Sequence, residues 1–214
     1  MRTNAASIAV ALAVGWALGA GPAAAGTITG FTCLTGSIAG DCTIGESQLS
    51  VEIIDQGGGT VRFHFRNAGP EASAISEIYF DDGSLLGIAS VLDGPGVDFE
   101  QGASPPDLPG GNLAVPPFQV TAGFLAQSVP SPSMNGVGPV EWVMIDFALQ
   151  GGQGIADVLS ELQSGALRIG LHVIAFDSGG SESFINVPVP EPTSALLVAL
   201  GLAGLAAHAR RSRI

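Results

Sequence analysis

The sequence predicts a mainly β protein, an antiparallel β-sandwich with one short helix. Three observations predict it. Apolar residues alternate with polar ones in several runs of five to ten residues. Gly, Pro, Asn and Asp cluster between those runs at short intervals. A single stretch, Ile155, Val158, Leu159 and Leu162, follows helical spacing instead. That pattern suits two packed sheets joined by turns, with the helix in a crossover loop.

Taken in order, the first strand is carried by Leu49, Val51 and Ile53, which alternate with Ser50 and Glu52. Gly57 to Gly59 supplies a turn. Val61, Phe63 and Phe65 then alternate with Arg62, His64 and Arg66, a half-buried strand. Asn67 to Pro70 turns the chain again. Ile75 to Phe80 forms the next strand, with Ile78 and Phe80 on one face and Glu77 and Tyr79 on the other. Asp82-Gly83 predicts a hairpin into Leu85 to Val91.

Asp93 to Pro139 is rich in Gly, Pro and Ser and reads as irregular loop. The exception is a strand over Phe118 to Ala126. Val143, Ile145, Phe147 and Leu149 share a face in a strand over Val140 to Leu149. The helix follows, and Gly165 is placed to end it. Leu167 to Phe176 and Ser183 to Val187 complete the set.

Both ends of the chain are addresses rather than fold. Residues 1–25 read as a secretory signal peptide: Arg2 opens it, Ile8 to Ala20 is apolar, and Ala23-Ala24-Ala25 offers small residues for cleavage before Gly26. The domain spans 26–187, long enough for one sizeable core. From 188 the chain becomes a stalk with Pro190-Glu191-Pro192. Prolines donate no backbone hydrogen bond and hold the preceding residues extended. Thr193 to Ala209 is an uncharged apolar run, roughly 25 Å long as a helix and just enough to cross a thin bilayer. Arg210, Arg211 and Arg213 follow and mark the cytoplasmic side.

This arrangement resembles the PEP-CTERM sorting signal of exported bacterial proteins. The likeness covers Val189 to Arg213 and rests on Pro190, Glu191 and Pro192, the apolar run, and Arg210, Arg211 and Arg213. It implies passage through the secretion machinery and an inner-membrane-anchored precursor. It also implies processing near Pro190 by an exosortase, a membrane-embedded protease, before presentation at the cell surface. The family is linked to extracellular polysaccharide and biofilm matrix. Phe80-Asp81-Asp82-Gly83 faintly resembles the signature of an X-Asp-Asp subgroup, a likeness that implies no activity.

Charge narrows the function classes. All 19 acidic residues lie between Asp41 and Glu191, and Lys is absent from the whole chain. Only Arg62, Arg66 and Arg168 oppose them there, a net charge of about −16. Nucleic-acid binding needs a cationic surface and is disfavoured, as is attachment to anionic lipid. Cys33 and Cys42, the two cysteines, are expected to form a disulfide in an exported chain.

Catalytic patterns fail. Ser181 lies in Gly179-Gly180-Ser181-Glu182-Ser183, where Ser183 stands in place of the second Gly of a nucleophile elbow. His64 and His172 each sit on a strand, and as catalysts they would need a partner nucleophile and an orienting carboxylate. Asp81 and Asp82 are weak calcium-ligand candidates at a turn; ordinary turn chemistry is the other reading. The sequence therefore predicts a non-enzymatic surface or matrix protein without a required cofactor. The alternative is a calcium-assisted carbohydrate-binding or adhesin module, with exopolysaccharide as its partner.

Overall fold

The structure, a computed structural model, describes residues 26–188 except 103 and 128. The expected signal peptide, the apolar run at 193–209, and Pro190, Glu191, Pro192, Arg210, Arg211 and Arg213 lie outside the described residues.

Ten strands run through the domain: β1 (Thr27–Cys33), β2 (Leu49–Gly57), β3 (Thr60–Asn67), β4 (Ala74–Asp81), β5 (Leu86–Asp93), β6 (Phe99–Gln101), β7 (Ala122–Ala126), β8 (Trp142–Leu149), β9 (Arg168–Ile174) and β10 (Glu182–Asn186). Helices are α1 (Ala39–Gln48), α2 (Pro132–Asn135) and α3 (Ile155–Ser164). All strand pairings are antiparallel, in the order β5-β8-β3-β2-β1-β10-β9-β4-β7-β6.

This corrects the expected sandwich of two separate sheets: one continuous sheet curls over itself. The reason is β1. Its residues Thr27 to Gly30 pair with β2, and Phe31 to Cys33 pair with β10. One strand thus belongs to both halves, and the change of partner falls after Gly30. The halves face each other across a core that includes Phe63, Phe65 and Phe147 from one side and Ile78, Phe80 and Phe124 from the other.

The hairpin expected at Asp82-Gly83 does not form. β4 pairs with β7 and β9, while β5 pairs with β8. The turn itself is present: Gly83 has φ +64° and Asp82 accepts from the Leu86 amide at 2.6 Å. A tight turn dictates a change of direction, not which strands pair afterwards, and here it carries the chain between halves. Gly58 and Gly59, at φ +62° and +76°, do close the expected β2–β3 hairpin.

The strand expected from Phe118 shortens to β7. Phe118 turns out of the ladder to pack with Tyr79, Leu108 and Ala114 in a second, smaller apolar cluster. There the Arg168 guanidinium lies 5.3 Å from its ring centroid. The loop before β7 thereby covers the outer side of β4 and β9. Gly170 makes this possible, since a Cβ there would meet Leu108 at 2.7 Å.

Helix α3 ends where expected, on Gly165 at φ +77°. Helices α1 and α2 and strands β1 and β6 are additions to the one helix and the strands expected. Residues 39–48 hold two Gly, a Thr and a Ser and no apolar stripe, so nothing local favours a helix. Tertiary contacts hold it instead. The Cys33–Cys42 disulfide, with Cα atoms 5.3 Å apart, staples it to β1. Asp41 accepts from Ser178 Oγ at 2.6 Å. Gly45 lies directly on the Phe184 ring, where a Cβ would sit 2.1 Å from Cζ.

Two alanine substitutions in α1 should therefore act in opposite directions. Gly40 has open space around it, so Gly40→Ala should raise stability by about 0.5–1 kcal/mol. Gly45→Ala should lower it by about 1–3 kcal/mol through overpacking. Thermal denaturation checks both; equal effects at the two positions would contradict the packing described.

Candidate functional site

The chain leaves the domain through β10, held between β1 and β9. Three bonds fix its end. Val187 donates its amide to Gly30 O at 3.1 Å. Thr29 Oγ1 donates to Val187 O at 2.8 Å. Asn186 Oδ1 accepts from the Ile169 amide at 2.7 Å. The Pro-rich segment thus follows a strand bonded on both sides, next to the strand that opens the domain.

At the other end of β10, Glu182 is 1% exposed. Its carboxylate accepts from Thr35 Oγ1, from the Ser37 amide at 3.0 Å and from the Ile38 amide at 2.5 Å. Burial alone would raise its pKa. The Thr35 hydroxyl and the two amides outweigh burial and hold the pKa below the usual glutamate value. Cys33, Cys42 and Glu182 are the one group with metal-ligand proximity among the described residues. The two sulfurs are bonded to each other, and the carboxylate is occupied with the loop before α1. The three form a clasp joining β1, α1 and β10.

Asp81 and Asp82, the calcium candidates, are each engaged with protein groups. Asp81 pairs with Arg168 and accepts from the Gln119 amide at 2.8 Å. Asp82, 6% exposed, accepts from the Leu86 amide and Thr121 Oγ1. These bonds are turn and loop-anchoring chemistry. Glu161 lies near enough to Asp82 for that charge to add to burial in raising its pKa.

The histidines lie in different surroundings. His172 Nδ1 is 2.6 Å from Glu77 Oε2, and Ser76 Oγ donates to that same oxygen at 2.7 Å. Ser76 Oγ also lies 3.2 Å from the His172 carbonyl oxygen and 3.5 Å from its Nδ1, so its shortest contact is with the carboxylate. Ser183 faces His172 across the β9–β10 ladder, fully buried, with no partner for its Oγ among the described residues. Ser181, at the nucleophile-like loop, is exposed.

His64 lies on the outer side of β3. Its imidazole meets the Trp142 indole edge to face at 5.5 Å. Arg66 Nη2 is 3.0 Å from its Nδ1 and 2.9 Å from Glu52 Oε2. Burial first, and the Arg66 charge second, lower the His64 pKa, so the ring is neutral at pH 7. A cavity of about 310 Å³ opens here, bounded by His64, Arg66, Asn67, Val140, Glu141 and Trp142. Trp142 is not among the sequence-predicted site residues. Its signal was present: it is the one Trp outside residues 1–25 and opens a strand. A larger cleft, about 610 Å³, lies elsewhere, at the sheet's open edges beside Leu86, Gly87 and Gln101. No charged or aromatic side chain lines it.

The family model of the PEP-CTERM protein-sorting motif matches residues 188–211, directly after β10. The chain carries this motif, which implies recognition by an exosortase and a membrane-anchored precursor processed for the cell surface. No helix among the described residues is long and apolar enough to cross a membrane. No curated protein and no solved structure matches the chain.

Glu182→Gln should test the clasp. An amide offers one acceptor oxygen and brings an NH2 against donors, so stability at pH 7 should fall by about 1–3 kcal/mol. Because the folded pKa is depressed, the wild-type contribution is complete above the unfolded value of about 4.3 and is lost as pH falls through the folded value. Melting curves from pH 7 to pH 3 should show the two proteins converging in acid. A constant gap would contradict this.

Proposed function

We propose that the protein is a non-enzymatic component of the cell surface or extracellular matrix. It is delivered by its two terminal addresses and carried on an acidic, disulfide-clasped β-domain. The observation that carries this reading is the sorting motif at 188–211, placed immediately after a strand bonded on both sides. In this reading the signal peptide at 1–25 engages the secretion machinery. The run at 193–209 anchors the precursor in the inner membrane, and exosortase cuts near Pro190. The domain then remains at the surface or enters the matrix beside exopolysaccharide.

Two further observations support the reading. The domain's charge of about −15 keeps an exported protein dispersed. The Cys33–Cys42 bond suits an oxidising compartment. Its closure of a short loop favours the folded state by about 2–3 kcal/mol in the chain-entropy account.

Intact mass spectrometry of the protein from its host tests the route. The wild-type mass should lack residues 1–25 and the segment after about Pro190. In a strain without exosortase the C-terminal segment should remain. A wild-type protein that keeps its C-terminal segment would overturn the proposal.

A further inference from the structure

The outer side of β2, β3 and β8 forms a surface unlike the rest of the domain. Inward positions Val51, Phe63, Phe65, Val143, Ile145 and Phe147 are buried. The alternate positions therefore face out, and antiparallel register sets them in rows. Ser50, Arg66 and Trp142 form one row, and Glu52, His64 and Met144 the next. Ile54, Arg62 and Asp146 form the third. Two of the domain's three cations stand here, each already paired: Arg66 with Glu52, and Arg62 with Asp146 through two bonds of 2.7 and 2.8 Å.

Each part of the cavity at Trp142 is held in place. Gly94 backs the indole: a Cβ there would lie 3.0 Å from Cδ2 and Cε2. The Asn67 side chain, fully buried, donates to Ser73 O and accepts from Gln48 and Gly69, fixing the neighbouring loop. Its backbone holds the opposite wall through Val140 N to Asn67 O at 2.8 Å. Val140 is thereby kept at φ +63° with its side chain 81% exposed, an unfavourable backbone region for a β-branched residue.

We propose that this cavity binds a sugar ring of a neutral polysaccharide. The assignment follows from the chemistry of its lining. An indole presents a negatively polarised face to the C–H bonds of a sugar. On that lining Arg66 offers donors and Glu141 an acceptor for ring hydroxyls. About 310 Å³ lies at the small end of ligand pockets, room for one ring. The pairing of both cations, within a domain of about −15, favours a neutral chain over a polyanionic one. No metal takes part. The inference stands on the folded domain and is independent of how the tail is processed.

Trp142 is the sole Trp once residues 1–25 are removed, so its fluorescence reports on this cavity. The experiment titrates the protein purified from its host with a panel of neutral gluco-, manno- and galacto-oligosaccharides and with oligouronates, with and without EDTA. At least one neutral series should shift the emission and bind immobilised protein, unaffected by EDTA. Trp142→Ala and Arg66→Ala, read by binding to immobilised protein, should each weaken that affinity about tenfold or more. Leu113→Ser, on the exposed loop over the other half of the sheet, should bind as wild type. Melting curves confirm that each variant is folded, and Trp142→Phe, which keeps an aromatic face, should retain partial binding. The proposal is overturned if no neutral series binds at about 10 mM, if only oligouronates bind, if EDTA abolishes binding, or if folded Trp142→Ala binds as wild type.

Discussion

Phe80 is the residue around which the sheet closes. Its ring meets Phe63, Phe65, Phe124 and Phe147 edge to face, with centroids 4.8 to 6.1 Å apart. These partners come from both halves of the sheet. Edge-to-face pairs gain from quadrupole complementarity beyond their buried area. A curled sheet with open edges needs such a centre, because no covalent or ladder bond joins its far strands.

The second organising device is the strand shared by both halves. β1 passes from β2 to β10 after Gly30, and β10 is the last strand before the sorting motif. The disulfide and the Glu182 carboxylate bind β1, α1 and β10 into one unit. The fold therefore seals itself at the same place where the chain departs for the membrane. A tail attached there pulls on a strand bonded along both edges, so the domain is fastened to its tether by its middle and not by an edge.

Much of the fold was legible because half-buried strands repeat with period two. The strands around Val51, Phe63, Ile78, Ile145 and Leu171 stand where their alternation placed them. Alternation reports a face, however, and not a neighbour. It could not show that Asp82-Gly83 joins two halves, nor that one strand serves both. Helix α1 was invisible for a different reason: a bonded cysteine, a buried Asp41 and a glycine against Phe184 hold it, and none of these is a helical pattern. The sorting motif was fully legible since it is linear. The Trp142 cavity was not, because His64, Arg66 and Trp142 meet only through strand register.

The central claim is that residues 188–211 deliver this domain to the cell exterior. The most direct measurement is fractionation of host cells with and without exosortase, with thiol labelling of Cys33 and Cys42 after acid quenching. The account predicts an oxidised domain at the surface or in the medium of wild-type cells, and retention in the inner membrane without exosortase. A domain found in the cytoplasm with both thiols free, or one whose location ignores exosortase, would contradict it.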